Sequence, residues 1–488
     1  MLGLLAAVLS LFSGGVLAST DAQALHMLNR VAFGPRPGDV QRVAAMGVDR
    51  YIQQQLHPNS ILLPANLQQQ LTGLDTLPLT PAELFKQYGP PPLPHGQKLT
   101  PQERKQLNQR ANVIVLQAMQ ARVLHAIESP RQLQEVMVNF WFNHFNVFRG
   151  KGLDRLWVGS YEEEAIRPYA LGHFRDLLLA TAKHPAMLFY LDNWLDAQPD
   201  TPHAKGRFQG INENYGREVM ELHTLGVNGG YNQTDVTTLA HILTGWGLCP
   251  LRGRRANPGV FCFDPLRHDF GDQVFLGKHI SGGGEEEIVQ ALDRLAASPA
   301  TAHHLSYELA QYFVANNPPP TLVDRLAQKW VQTGGDIAAV LDTLFHSPEF
   351  WSAKYTDNKF KTPYEYVISM VRATGEPVTN IKPLLGMMNQ LGMPLYGYLT
   401  PDGYKNTQAA WLNPDSMMMR LSFATALGHG NLRLDPDSVD PVTPAQRATR
   451  LLDTLHGLFT PQQIVTIDSQ PEPLRAGLIL GSPQFQYR

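Results

Sequence analysis

Gln134-Glu-Val-Met-Val-Asn-Phe-Trp-Phe-Asn-His-Phe-Asn-Val-Phe148 sets three asparagines in a run dense in Val, Met, Phe and Trp. Val136, Met137, Val138, Phe140, Trp141 and Phe142 follow one another without the strict alternation of a half-buried strand. The polar exceptions Asn139, Asn143 and Asn146 recur at i, i+4 and i+7, the repeat of one helix face. The segment Pro130–Phe148 therefore reads as a buried helix with one stripe of amides. Buried amides need partners, so the stripe lines a cavity or a hydrogen-bonded seam, and both readings stay open. His144 stands about 100° from Asn143 around the helix. It is open as a ligand, a general base or a satisfied core histidine.

Working outward, the same helical period continues. Thr100-Pro-Gln-Glu103 opens a long helix with proline in its first turn, running to about Glu128. Ser19-Thr20 cap a helix over Asp21–Ala32, and short helices follow at Pro37–Ala45 and Val48–Leu56. Further helices are expected at Glu213–Gly226, Asp235–Trp246, Ile337–Phe345 and Pro363–Thr374. The expected class is all-α: a multi-helix single large domain with minor β in the Cys249–Gly284 region, around Val260–Phe263. A polar, proline-containing linker, Asn431–Pro444, separates a main domain over 19–430 from a C-terminal helical extension over 431–488 packed on it.

The 488 residues are 43% hydrophobic, enough for a substantial core. A formal net charge of −3 gives no global basic field for nucleic acid or anionic membrane. Residues 1–18 read as a signal peptide, with an uncleaved anchor as the alternative: the apolar run Leu2–Phe12 is too short to span a bilayer, and Val16-Leu17-Ala18 fits a cleavage site. The expected location is periplasmic or secreted, with no membrane span after removal of the leader. Cys249 and Cys262 are the only cysteines. In an oxidising compartment a local disulfide is expected, the alternative being two reduced, buried thiols; a zinc site needs more ligands than the pair supplies.

The most unusual chemistry lies in Asn212-Glu-Asn-Tyr-Gly-Arg-Glu-Val-Met-Glu-Leu-His-Thr-Leu-Gly226. With Glu218 at zero and about 100° per residue, Leu222 falls near 40° and Leu225 near 340°. Leucines thus bracket Glu218 in the apolar arc, where a carboxylate is costly unless paired, metal-bound or functional. Arg217 is four residues from both Glu213 and Glu221, so a buried Glu–Arg packing network is the competing reading. A third segment, Phe263-Asp-Pro-Leu-Arg-His-Asp-Phe-Gly271, sets His268-Asp269 in a loop, as a catalytic pair or an Asx-type turn. The nearby Arg252, Arg254 and Arg255 read as an anion-binding cluster or a solvated loop.

Asn212–Gly226 resembles the Asn-Glu-Asn-Tyr-Ala-Arg-Glu-Leu-Met-Glu-Leu-(Phe/His)-Thr-Leu-Gly signature of the domain-of-unknown-function 1800 family. His26–Gly34, Phe140–Phe145, Ile166–Gly172, Phe174–Leu178, Pro185–Asn193, Leu243–Trp246, His268-Asp269, Phe345–Phe350 and Lys361–Pro363 look like further pieces of that family, in the same order. The chain departs from it at Gly216, usually Ala, and in Tyr398–Trp411. The resemblance implies an exported, largely helical protein, often encoded beside a secreted sulfatase-like partner, and supplies no reaction.

Three functions compete. The first is a hydrolase acting on a glycan or other polymer, with Glu218 as acid or base. Its second carboxylate is Asp269, Asp235 or Glu221; the last is disfavoured because two groups on successive turns of one helix rarely flank a bond. Asn139, Trp141, Asn143, Asn146, Asn214, Arg217 and Trp246 are the substrate-binding candidates. The second is an enzyme whose divalent metal is held by Glu218, Glu221, His144, His268 and Asp269. The third is a non-enzymatic binding or assembly protein for the secreted sulfatase-like partner.

Overall fold

The computed structural model describes residues 20–91, 97–206, 208, 210–250, 257–436 and 442–488. The expected signal peptide and the arginines 252, 254 and 255 lie outside these, as do parts of the 89–96 loop and the 431–444 linker. The chain is predominantly α, with 24 α-helices and four three-residue strands among the described residues. None of these helices is long and apolar enough to cross a membrane.

Side-chain caps start half of the α-helices among the described residues. Thr100 accepts from the Glu103 N–H while Glu103 answers the Thr100 N–H, opening Pro101–Glu128. Thr362 and Glu365 repeat the device for Pro363–Thr374. Val48–Leu56 and Ile337–Phe345 also match their expected bounds. The central Gln132–His144 helix is shorter than expected and almost wholly buried. Helices in segments with no helical expectation include Ala65–Thr72, Pro81–Tyr88, Asp154–Ser160 and the π-helix Tyr161–Ile166.

Three of the four strands fall in the expected Cys249–Gly284 region, and the first lies just ahead of it. Strand β1 (Trp246–Leu248) pairs antiparallel with β2 (Phe261–Phe263), and β3 (Gln273–Phe275) with β4 (Lys278–Ile280). A Cys249–Cys262 disulfide staples the first pair. For a sequence separation of 13 this constraint contributes about 3 kcal/mol in the chain-entropy model.

The last helices pack on the main body. Pro414–Gly428 and Glu472–Gly481 cross where Gly428 meets Gly477, so closely that a Cβ on Gly428 would lie 2.6 Å from the Gly477 nitrogen. Residues 486–488 pair with 359–361 through main-chain bonds of 2.9–3.2 Å. The Arg488 guanidinium reaches Glu365 at 2.9 Å in the interior.

A buried charged lattice underlies the Gln132–His144 helix. Arg122 bonds Glu162 at 2.9 Å and the Asn139 carbonyl at 2.8 Å. Arg167 reaches Glu135 at 2.7 Å and Glu162 at 3.3 Å. Buried charges are tolerated when every one is paired in this way. They fix the helix whose stripe builds the site.

Candidate functional site

The asparagine stripe is both of the things expected of it. Asn139 is held from behind by Arg122 and faces a cleft of about 260 Å³. Asn143 and Asn146 form a seam with a loop more than 250 residues away. The Asn143 amide donates to the Tyr404 carbonyl at 2.9 Å and accepts from the Tyr404 N–H at 2.7 Å. Asn146 donates to the Tyr398 and Thr400 carbonyls at 3.2 and 2.8 Å.

The cleft is bounded by the Gln132–His144 helix, the end of the Glu213–Glu221 helix, the Pro299–Phe313 helix and residues 393–406. Three carboxylates line it from three different elements: Glu221, Glu308 and Asp402. Glu308 Oε2 lies 2.8 Å from His144 Nδ1, and Oε1 lies 3.6 Å from His304 Nε2. Burial acts to raise the Glu308 pKa, but His144, His304 and Lys405 together outweigh it and hold the carboxyl below the usual carboxylate range. The other nitrogen of His144 sits 3.2 Å from the His223 carbonyl, which can only accept. His144 is thereby committed at both ends and orients Glu308.

Glu218 is half-buried, and its carboxylate has no hydrogen-bond or ion-pair partner among the described residues. Burial raises its pKa, and the negative charges of Glu221 and Asp402 raise it further. It lies outside the residues that line the cleft but within the field of Glu221 and Asp402, which biases it to keep its proton.

The leucine bracket expected around Glu218 is not what the structure contains. The buried face of this helix is Tyr215, Gly216, Val219 and Met220. The helix stops at Glu221, because the Leu222 and His223 N–H groups both turn onto the Glu218 carbonyl and the Thr224 hydroxyl donates to the Val219 carbonyl. Leu225 is thus not on the helical wheel at all. Arg217 bonds Glu213 at 3.1 Å and Gln233 at 2.9 Å, at the surface, so the buried Glu–Arg network is not formed. Glu221 lies 3.5 Å from the Tyr231 hydroxyl, which donates to it.

The other candidates have different partners. Trp141 and Trp246 are wholly buried, and their indole N–H groups donate to the Ala170 and Ala182 carbonyls; they are core, not ligand surface. Asn214 donates to the Leu191 carbonyl, and Asn212 to that of Asp192, so these amides clasp the 191–196 turn. Asp235 caps its own helix through Asn232 and accepts from the Leu276 N–H. Asp269 pairs with His241 at 2.7 Å. His268 is fully buried, donating to the Thr244 carbonyl at 2.7 Å and standing 2.7 Å from Glu287. The set Glu218, Glu221, His144, His268 and Asp269 is therefore divided between two places. Among the described residues no three of His, Cys, Asp and Glu are grouped so as to hold a metal ion.

Glu308, His304, Asp402, Tyr404 and Lys405 are cleft residues that sequence reasoning did not find. His304 and Glu308 are an i,i+4 pair and so were legible as neighbours. Their link to His144, and the whole of the 398–406 loop, depend on contacts between distant parts of the chain.

A family model described as "Protein of unknown function (DUF1800)" matches residues 26–487. No curated protein and no solved structure matches the chain.

Proposed function

The chain belongs to the DUF1800 family, and from that premise we propose that it is a hydrolase of a polymer, in the first place a glycan, working in the periplasm or after secretion. Family membership carries no reaction, so the reading rests on the site. The observation that supports it is the convergence of Glu221, Glu308 and Asp402 from separate elements on one cleft, with Glu218 beside them.

Hydrolysing a glycosidic bond takes one carboxyl that keeps its proton and one that has lost it. Glu218 is pushed towards the first state and Glu308 towards the second. In this reading Glu218 delivers its proton to the leaving oxygen as the bond to the sugar carbon breaks. Water supplies the oxygen that replaces it, and Glu308, oriented by His144, takes the water's proton. Asn139 and the cleft amide Gln311 are placed to bind hydroxyls. The leader-like residues 1–18 and the Cys249–Cys262 disulfide support the location. The test is release of reducing ends from a panel of neutral and charged polysaccharides by the purified chain. No release from any of them, by protein that unfolds cooperatively, overturns the reading.

A second reading, a binding or assembly protein for a secreted sulfatase-like partner, draws on a different surface. Met418, Leu421, Leu474 and Leu478 are exposed on the last helices, beside a cleft of about 500 Å³ whose lining carries no charged residue. Contiguous exposed apolar area of this kind is a mark of protein contact sites. Association with a recombinant sulfatase-like protein, abolished by Leu421→Ser with Leu478→Ser, supports this reading; no association in gel filtration removes it.

A further inference from the structure

The wall of the cleft formed by residues 398–406 is held almost entirely by its main chain. Asn146 grips the Tyr398 and Thr400 carbonyls, and Asn143 grips both main-chain groups of Tyr404. The Tyr190 hydroxyl donates to the Leu399 carbonyl at 2.8 Å, and the buried Lys359 ammonium to the Asn406 carbonyl at 2.9 Å. Gly403, with φ +62°, lies so close under Asn143 that a Cβ there would stand 2.2 Å from the Asn143 carbonyl oxygen. Every one of these grips comes from the body of the protein and ends on a loop backbone atom. Within the loop the Thr400 hydroxyl donates to Asp402 at 2.6 Å, but the grips from the body do not use the side chains at 402 and 405.

Those side chains face the cleft. Asp402 and Lys405 pair at 2.7 Å, with side chains 32% and 62% exposed, next to the Tyr404 ring. A carboxylate offers acceptors and an ammonium offers donors, so together they match neighbouring hydroxyls, and an aromatic ring fits the apolar face of a sugar. The pair is neutral as a unit, while Glu221 and Glu308 disfavour a polyanion in the same cleft.

We propose that the 398–406 loop is the specificity element of this site, with Asp402 and Lys405 reading the hydroxyls of a neutral sugar ring laid against Tyr404, and with Asn143 as their positioning residue. This rests on the glycan reading given above. A loop fixed by its backbone and read through its side chains can change its ligand without changing its place.

The experiment uses the full chain carrying Glu218→Gln, so that a bound glycan is not turned over, applied to an array of neutral and anionic oligosaccharides. Binding of neutral glycans is expected. Adding Asp402→Ala with Lys405→Ala should weaken it at least tenfold or reorder the preferred glycans, at an unchanged melting temperature. Lys405→Ala alone, at the more exposed position, serves if the pair fails to fold. Asn143→Ala should weaken all neutral glycans together, without reordering them. Neutral binding that is unchanged in affinity and order by the loop substitutions overturns this inference and leaves the hydrolase reading standing. Binding of anionic glycans alone also overturns it. An array with no bound glycan overturns both.

Discussion

Glu308 Oε2 stands 2.8 Å from His144 Nδ1, at a cleft that also receives Glu221 and Asp402. The contact joins the Pro299–Phe313 helix to the last residue of the Gln132–His144 helix. It also divides the labour among the acids, because it favours the charged form of Glu308 while Glu218, without such a partner, is biased to the neutral form.

That division predicts a bell-shaped pH profile for polysaccharide hydrolysis. Glu308, with its pKa lowered, must lose its proton, so activity falls as pH drops through that value. Glu218, with its pKa raised, must keep its proton, so activity falls as pH rises through that value. Replacing Glu308 with Gln should remove the acid limb along with most of the rate, and an acid limb that survives would reassign it to another group.

Asp154 predicts a pH effect on stability. It is wholly buried, neither carboxyl oxygen has a hydrogen-bond partner among the described residues, and burial raises its pKa well above the usual value. A group with a raised native pKa contributes stability at low pH that is lost as pH rises through that pKa. Asp154→Asn should therefore gain on the wild type as pH increases. Melting temperatures of both proteins across pH 5–9 check this; parallel curves would show that Asp154 does not titrate on unfolding.

Trp246 predicts a stability loss with no direct effect on binding. Its indole is wholly buried and bonded to the Ala182 carbonyl. Truncation to Ala should cost about 3–5 kcal/mol, as for other large aromatic cores. Urea unfolding measures it. A loss under 1 kcal/mol would mean that the side chain is not packed as described.

How legible this was depends on the range of the contacts. Val48–Leu56, Ile337–Phe345 and Pro363–Thr374 were readable to the residue because periodicity and local caps such as Asp336 and Thr362 determine them. The Glu213–Glu221 helix was read too long because the Thr224 hydroxyl captures a carbonyl that continued helix would have used. That one local bond moved Leu225 off the wheel and with it the argument for a leucine-bracketed Glu218. The polar stripe of Asn139, Asn143 and Asn146 was visible as a pattern. Its counterpart around Tyr404, 261 residues from Asn143, has no periodic signal of its own. His268 does lie in a loop, but its burial was not legible because its partner, Glu287, lies on a helix that the local sequence does not connect to it.

Proton transfer by Glu218 is checked by the rate of reducing-end release from a hydrolysed neutral polysaccharide by Glu218→Gln against wild type. Loss of a general acid predicts a fall of at least about 100-fold. The half-exposed Glu218 side chain makes no bond to lose, so the melting temperature should be unchanged. A variant that folds normally and hydrolyses at the wild-type rate would contradict the account.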